Sequence, residues 1–178
     1  KKAAKHFIQV FEDDEKVISP SGSCVGMVKV HYPELLAEEP TWRSRAEELS
    51  LRVYELSQYL VDILKVENVG ACFEGKVAYH ESCHILRVLG VSEQPKKLIR
   101  AVKGTELVPL EAADVCCGFG GEFAVHYPDI SESMLKDKAE NYLKSGADIL
   151  LLCEPGCLLN IGGFLSRNFP GKKVMHLA

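Results

Sequence analysis

The chemistry of this chain concentrates in the string Asp114-Val115-Cys116-Cys117-Gly118-Phe119-Gly120-Gly121. Adjacent cysteines do not readily bridge one another, because disulfide geometry does not suit neighbouring residues. Two thiolates side by side on a glycine-rich turn can instead reach one metal, or two irons of one cluster. The glycines let backbone N–H groups come close to a bound group, and such a nest of donors suits an anionic sulfur cluster. Taken alone, the string fits equally well two structural cysteines buried before a turn, since free cysteine is among the most buried residue types. The other cysteines decide between these readings.

Cys83, in Tyr79-His80-Glu81-Ser82-Cys83-His84, follows a short apolar run that reads as a strand. Cys153 and Cys157, in Cys153-Glu154-Pro155-Gly156-Cys157, sit where the apolar run Ala147 to Leu152 turns into a helix. Ligands expected from this pattern are Cys83, Cys116, Cys117 and Cys157, with Cys153 as a further candidate or a core residue. They lie far apart in sequence, so the site needs the folded domain. Sites of this kind form at the carboxyl ends of strands in open α/β sheets. A cysteine at a helix N-terminus gains from the helix dipole, which favours the thiolate. Gly118 is expected to help cradle a bound group. His84 is a candidate to hydrogen-bond a cluster sulfur or to ligate a metal, and a helix-capping role stays open for it; His80 reads the same way. Arg87 is either a positive charge near the centre or a surface residue. Cys72 reads as structural and outside the site.

A strand-to-helix turn ending in cysteine occurs twice. Lys16 to Ser19 leads into Pro20-Ser21-Gly22-Ser23-Cys24, as Ala147 to Leu152 leads into Cys157. The first copy reads as truncated, with its counterparts to Cys83 and to the double cysteine lying before Lys1, so Cys24 reads as a ligand only in a longer chain. The expected division is residues 1–70, the tail of a first repeat plus a linker helix, and residues 71–178, a second repeat.

The elements that must position these residues alternate. Residues 3–11 read as the end of a helix. A helix after Cys24 carries Met27, Val28 and Val30 and stops near Pro33. A long helix is expected from Thr41, with Thr41 as cap and an apolar stripe through Leu49, Val53, Leu56, Leu60 and Leu64. Lys76 to Tyr79 and Thr105 to Leu110 read as strands, with helices after Cys83 and over Glu93 to Val102. Ser131 to Lys144 reads as a helix capped by Ser131 and closed by Gly146. A helix through Ser166 and a strand Lys173 to Leu177 finish the chain. The expected class is α/β, a mostly parallel sheet with helices on both faces and two pseudo-repeats, the first truncated.

The chain has 178 residues, 47% of them hydrophobic and 26% charged, with a net charge of -4. That length supports one ordinary domain or two small packed ones. No basic field draws it to nucleic acid, and no apolar run suits insertion in a membrane. The first residues lack the apolar core of a signal peptide. Seven cysteines, an odd number in a mixed α/β pattern, fit a reducing cytoplasmic compartment and metal or redox use.

The order Cys83, Cys116-Cys117-Gly118, Cys157 resembles the cysteine-rich CCG domain. That domain occurs in heterodisulfide reductase, in the iron–sulfur component of glycolate oxidase and in anaerobic glycerol-3-phosphate dehydrogenase. Pro20 to Cys24, Tyr79 to His84, Cys116 to Phe123, Gly156 to Gly163 and His176 to Ala178 carry a nearer resemblance, to the lactate utilization protein A family. The resemblance covers essentially the whole chain. It implies a [4Fe–4S] cluster, non-cubane in heterodisulfide reductase. It also implies an electron-transfer subunit of a cytoplasmic complex that oxidises L-lactate, or another 2-hydroxy acid, with other subunits as partners. The longest form of the motif ends in C-x-x-C, whereas Glu154 stands three residues before Cys157 here. A missing thiolate leaves a simpler [4Fe–4S] cluster or zinc as alternatives. No dinucleotide fingerprint, P-loop or nucleophile elbow is present, so the isolated chain is not expected to oxidise lactate. Two further functions stay open: a zinc-stabilised interaction module, and a thiol oxidoreductase with Cys116 or Cys117 as nucleophile.

Overall fold

The computed structural model describes residues 1–178. In chain order the elements are α1 (Lys2–Phe11), β1 (Val17–Ser19), α2 (Gly22–Gly26), a π-helical turn (Met27–His31), α3 (Tyr32–Leu35), α4 (Pro40–Ser50) and β2 (Val53–Glu55). Then come α5 (Leu56–Gln58), a π-helical turn (Tyr59–Ile63), β3 (Cys72–Tyr79), a π-helical turn (His84–Val88), α6 (Glu93–Arg100) and β4 (Lys103–Leu107). The chain ends with α7 (Glu122–His126), α8 (Pro128–Lys144), β5 (Ile149–Leu152), α9 (Pro155–Asn168) and β6 (Lys173–His176).

All strand pairs are parallel. β1 pairs with β2, and a second sheet has the order β4-β3-β5-β6. The larger sheet is covered on both faces, as the apolar strands require. Side chains alternate across a strand. Ala78, Leu150 and Leu152 therefore face one core, with Leu135, Ala139 and Tyr142 of α8 and Ile161, Phe164 and Leu165 of α9. Val77, Tyr79 and Ile149 face the other, with Ile85, Val91 and Ile99. A third core of Ile8, Val25, Val28, Leu36, Ala46, Leu49 and Val53 closes over the smaller sheet. The α/β class with parallel sheets is thus the observed one.

Several elements differ from the sequence reading. The long helix expected from Thr41 ends at Ser50, and Val53–Glu55 is a strand. The Lys29 ammonium donates to the carbonyls of Ser50 and Val53 at 2.7 and 3.1 Å, taking the acceptors where the helix stops. Val17 to Ser19 then pairs with Val53 to Glu55. An available strand edge outweighs a helical stripe that weak propensities alone would continue. Glu39 holds the cap position and Pro40 the first turn, so Thr41 does not cap. The chain runs past Pro33, which sits in the first turn of α3, where no N–H is needed. Ser131 lies inside α8 rather than at its cap. β4 stops at Leu107, short of Leu110. Cys72 belongs to β3 and is exposed, not structural core. Gly146, at φ 70, does close α8.

Candidate metal centre

Two turns are built alike. After β1, Ser21 caps α2 and its hydroxyl accepts from Cys24 N–H; after β5, Glu154 caps α9 and its carboxylate accepts from Gly156 N–H. Each puts a cysteine in the first helical turn, where unpaired N–H groups and the helix dipole favour thiolate. Cys24 is exposed, whereas Cys157 is buried.

Cys116 and Cys117 lie in the irregular stretch between β4 and α7. Gly118, at φ 82, folds this stretch back on α8. A Cβ at Gly118 would stand 2.6 Å from the carbonyl oxygen of Ser131, so only glycine fits there. The Ser131 hydroxyl donates to the Gly118 carbonyl at 2.7 Å, and the Asn160 side chain donates to the Cys117 carbonyl at 3.0 Å. α8 and α9 thereby hold the double cysteine from two sides. Gly118 N–H points at the Cys116 sulfur, 3.4 Å away.

This packing brings four of the expected thiols together. The sulfurs of Cys117 and Cys157 are 3.2 Å apart. Cys116 lies close enough to both Cys117 and Cys83 to perturb their thiols. His80 joins them. Its ring nitrogen and the sulfurs of Cys117 and Cys157 all lie within 4.8 Å of one another. His80 is fully buried, and its Nδ1 lies 3.0 Å from the carbonyl oxygen of Ala113. That bond places the proton on Nδ1 and leaves Nε2 a lone-pair donor. Nε2 is buried and has no hydrogen-bond partner. The Ser82 hydroxyl, also buried, is likewise unpartnered. Orphaned polar atoms at this depth are rare and call for a cause.

The crowded thiols perturb one another. The bonds from Cys117 and then Cys83 hold the Cys116 thiol well below its usual range. Cys83 is pushed up by its bond to Cys116 and by burial. Cys117 is pushed up by its bonds to Cys116 and Cys157 and by burial. Cys157 is pulled down chiefly by its contact with Cys117. Crowded thiols cannot all ionise together unless a cation compensates them. A soft metal supplies that cation and displaces the remaining protons. Thiolate sulfurs, an imidazole lone pair and a backbone N–H fit a thiophilic metal centre.

Cys153 stands apart. Side chains alternate along the extended chain, so Leu152 faces the core that holds Cys117 and Cys157, while Cys153 faces the opposite one. Its thiol accepts from the Tyr79 hydroxyl at 3.6 Å, and burial pushes its pKa up. His84 reaches only the outer edge, with Nδ1 3.7 Å from the Cys83 sulfur. It faces a cavity of about 680 Å³ lined also by Phe7, Cys24 and Tyr32. The Arg87 guanidinium donates to the Asp114 carbonyl at 3.2 Å and ties down the segment leading to Cys116.

Residues 77–162 match the cysteine-rich (CCG) domain family. Lactate utilization protein A of Shouchella clausii is 49% identical over 178 residues, which is all of this chain and 74% of that protein. The chain belongs to the lactate utilization protein A family. The protein of that name from a Geobacillus species is also 49% identical, and that from an Exiguobacterium species 47% identical over 180 residues. The CCG match spans Cys83, Cys116, Cys117 and Cys157 together with His80, so the family's cysteine-rich domain coincides with the thiol centre. Sequence reasoning weighed His80 but gave no sign that its Nε2 would be left free. Lys138, buried on α8, escaped it altogether; the available signal was its place on the buried stripe of Ser131, Leu135, Ala139 and Tyr142.

Proposed function

We propose that this protein is an iron–sulfur electron-transfer component of a cytoplasmic complex that oxidises L-lactate to pyruvate. The observation that carries the reading is the cluster of Cys83, Cys116, Cys117 and Cys157, with the unpartnered Nε2 of His80 beside Cys117 and Cys157. The relatives' name, lactate utilization protein A, supports the substrate assignment. The seven unpaired cysteines suit a reducing compartment. No helix is long and apolar enough to cross a membrane. The substrate chemistry belongs to partner subunits, and residues 71–178 hold the centre.

When bound, an iron–sulfur cluster supplies a one-electron carrier at this site. Cys83, Cys116, Cys117 and Cys157 would hold it, with His80 directed at Cys117 and Cys157. The chain's own contribution is fixed by its geometry. Gly118 N–H directs a hydrogen bond at the Cys116 sulfur, which spreads negative charge away from it. Ala113 sets the His80 tautomer and the orientation of its ring. Ser131 and Asn160 hold the Gly118 and Cys117 carbonyls, so the double cysteine cannot swing toward solvent. Burial of Cys117 and Cys157 keeps water from their sulfurs.

A second reading, structural zinc, is favoured by the grouping of one imidazole nitrogen and two sulfurs within 4.8 Å, a donor set that zinc takes readily. The two readings separate on purification without oxygen, with visible absorption, iron and sulfide measured together. Brown protein containing sulfide, with colour lost in Cys117→Ser, is the expected result. Colourless protein with stoichiometric zinc and no iron would overturn it.

A further inference from the structure

Of all the lysines and arginines, only Lys138 is buried, at 1% exposure. It lies on the inner face of α8 in line with Ser131, Leu135, Ala139 and Tyr142. Removing an ammonium from water costs several kcal/mol even after relaxation. A carboxylate usually offsets that cost, yet none lies within hydrogen-bond or ion-pair reach of Lys138. Its Nζ donates instead to the carbonyls of Ala112 and, at 3.4 Å, Ala113. Ala112 adopts φ 50, a conformation unfavourable for a residue with a Cβ, and so presents its carbonyl at some cost. The Ala113 carbonyl is the same one that orients His80.

Two carbonyl dipoles do not neutralise a buried cation. Burial pulls the Lys138 pKa down, and the groups that oppose this are Cys117 first, then Asp114, Cys157 and Cys116. Three of those four are thiols of the centre. A metal or cluster held by several thiolates retains net negative charge, and a fixed cation beside it stabilises that charge.

We propose that Lys138 is the built-in counter-charge of the thiolate centre, its ammonium held by the Ala112 and Ala113 carbonyls where it offsets the negative charge of the metal-bound cysteines. The inference rests on the reading of these thiols as a metal centre. It assigns Lys138 a tuning role, not a ligand role. Reduction adds an electron to an already anionic centre, so the cation favours the reduced form and raises the potential. Without metal, fewer of the thiols are ionised, and the ammonium stabilises the fold less.

The test uses the full chain, purified without oxygen, as wild type, Lys138→Arg and Lys138→Met. Reduction potential is read by redox titration of the visible spectrum, and thermal unfolding is followed in loaded and metal-free protein. The Arg variant should keep the wild-type potential. The Met variant should fall by about 59 mV, a tenfold change for one electron. It should be less stable than wild type, and by a larger margin loaded than metal-free. Lys138→Gln retains a donor for the carbonyls but no charge, and serves the same comparison if the Met variant fails to fold. Equal potentials in Met and wild type, or equal destabilisation with and without metal, would show Lys138 to be a structural strut only. If the wild type holds zinc and no sulfide, the iron–sulfur reading fails while the counter-charge is still read, as a tenfold weaker hold on zinc in the Met variant under chelator competition. A wild type that retains neither metal overturns both.

Discussion

A buried imidazole with one nitrogen bonded and the other free is poised to act as a donor, and His80 is in that state. Its free nitrogen has no structural task in the metal-free chain. Replacing His80 with leucine, of similar bulk, should therefore alter metal-free stability by less than about 1.5 kcal/mol in urea unfolding. Metal retention should respond far more, falling roughly 10- to 100-fold under chelator competition. The opposite pattern, a large loss of stability with unchanged metal affinity, would make His80 a packing residue.

At the scale of elements, the strand-to-helix turn is the working unit. β5 and the Glu154 cap aim Cys157 into the core, and the Gly118 turn lays the double cysteine against α8. Gly118→Ala combines positive φ with a backbone clash, so it should cost at least about 2 kcal/mol and lower the melting temperature by roughly 4–8 °C. It should also reduce metal content. Gly146→Ala supplies the control. Gly146 too has positive φ, but nothing lies within 4 Å of an added Cβ. Its cost should stay near 1 kcal/mol, with full metal content by elemental analysis.

Across the whole molecule, the two sheets are locked at their cysteine-bearing turns. The Glu154 carboxylate accepts from Ser23 N–H at 2.7 Å and from the Ser23 hydroxyl at 2.9 Å, joining the Cys157 turn to the Cys24 turn. Gly22 of α2 sits so close to Ile85, just beyond Cys83, that an added Cβ would lie 2.0 Å from its Cγ1. A buried carboxyl also makes overall stability depend on pH. Burial lifts the Glu55 pKa above its ordinary value, outweighing hydrogen bonds from Ser57 and Gln58 that lower it. The unfolded chain thus releases this proton first as pH rises. Its contribution is complete below the ordinary glutamate value and is lost as pH climbs through the raised one. Glu55→Gln should flatten the decline in unfolding free energy as pH rises above the ordinary glutamate value of about 4.3. An unchanged slope in urea titrations across that range would assign the pH dependence to other groups.

Sequence by itself determined the α/β class, the parallel strands and the turns that carry Cys24 and Cys157, because alternation, helical stripes and capping residues act over a few residues. The cysteine order was enough to mark the candidate site, since adjacent thiols before glycines have few other uses. What only the tertiary structure decided depends on contacts between distant segments. Val53 to Glu55 left a helical stripe for a strand because β1 offered an edge. Cys153 and Cys157 are near neighbours in sequence, yet strand alternation and the helical turn direct them to opposite faces of the sheet. The free nitrogen of His80 and the buried charge of Lys138 arise from a single carbonyl, that of Ala113, to which both side chains turn. No local pattern encodes such a meeting, because the cost of burying each group and the partner that offsets it come together only when the chain is folded.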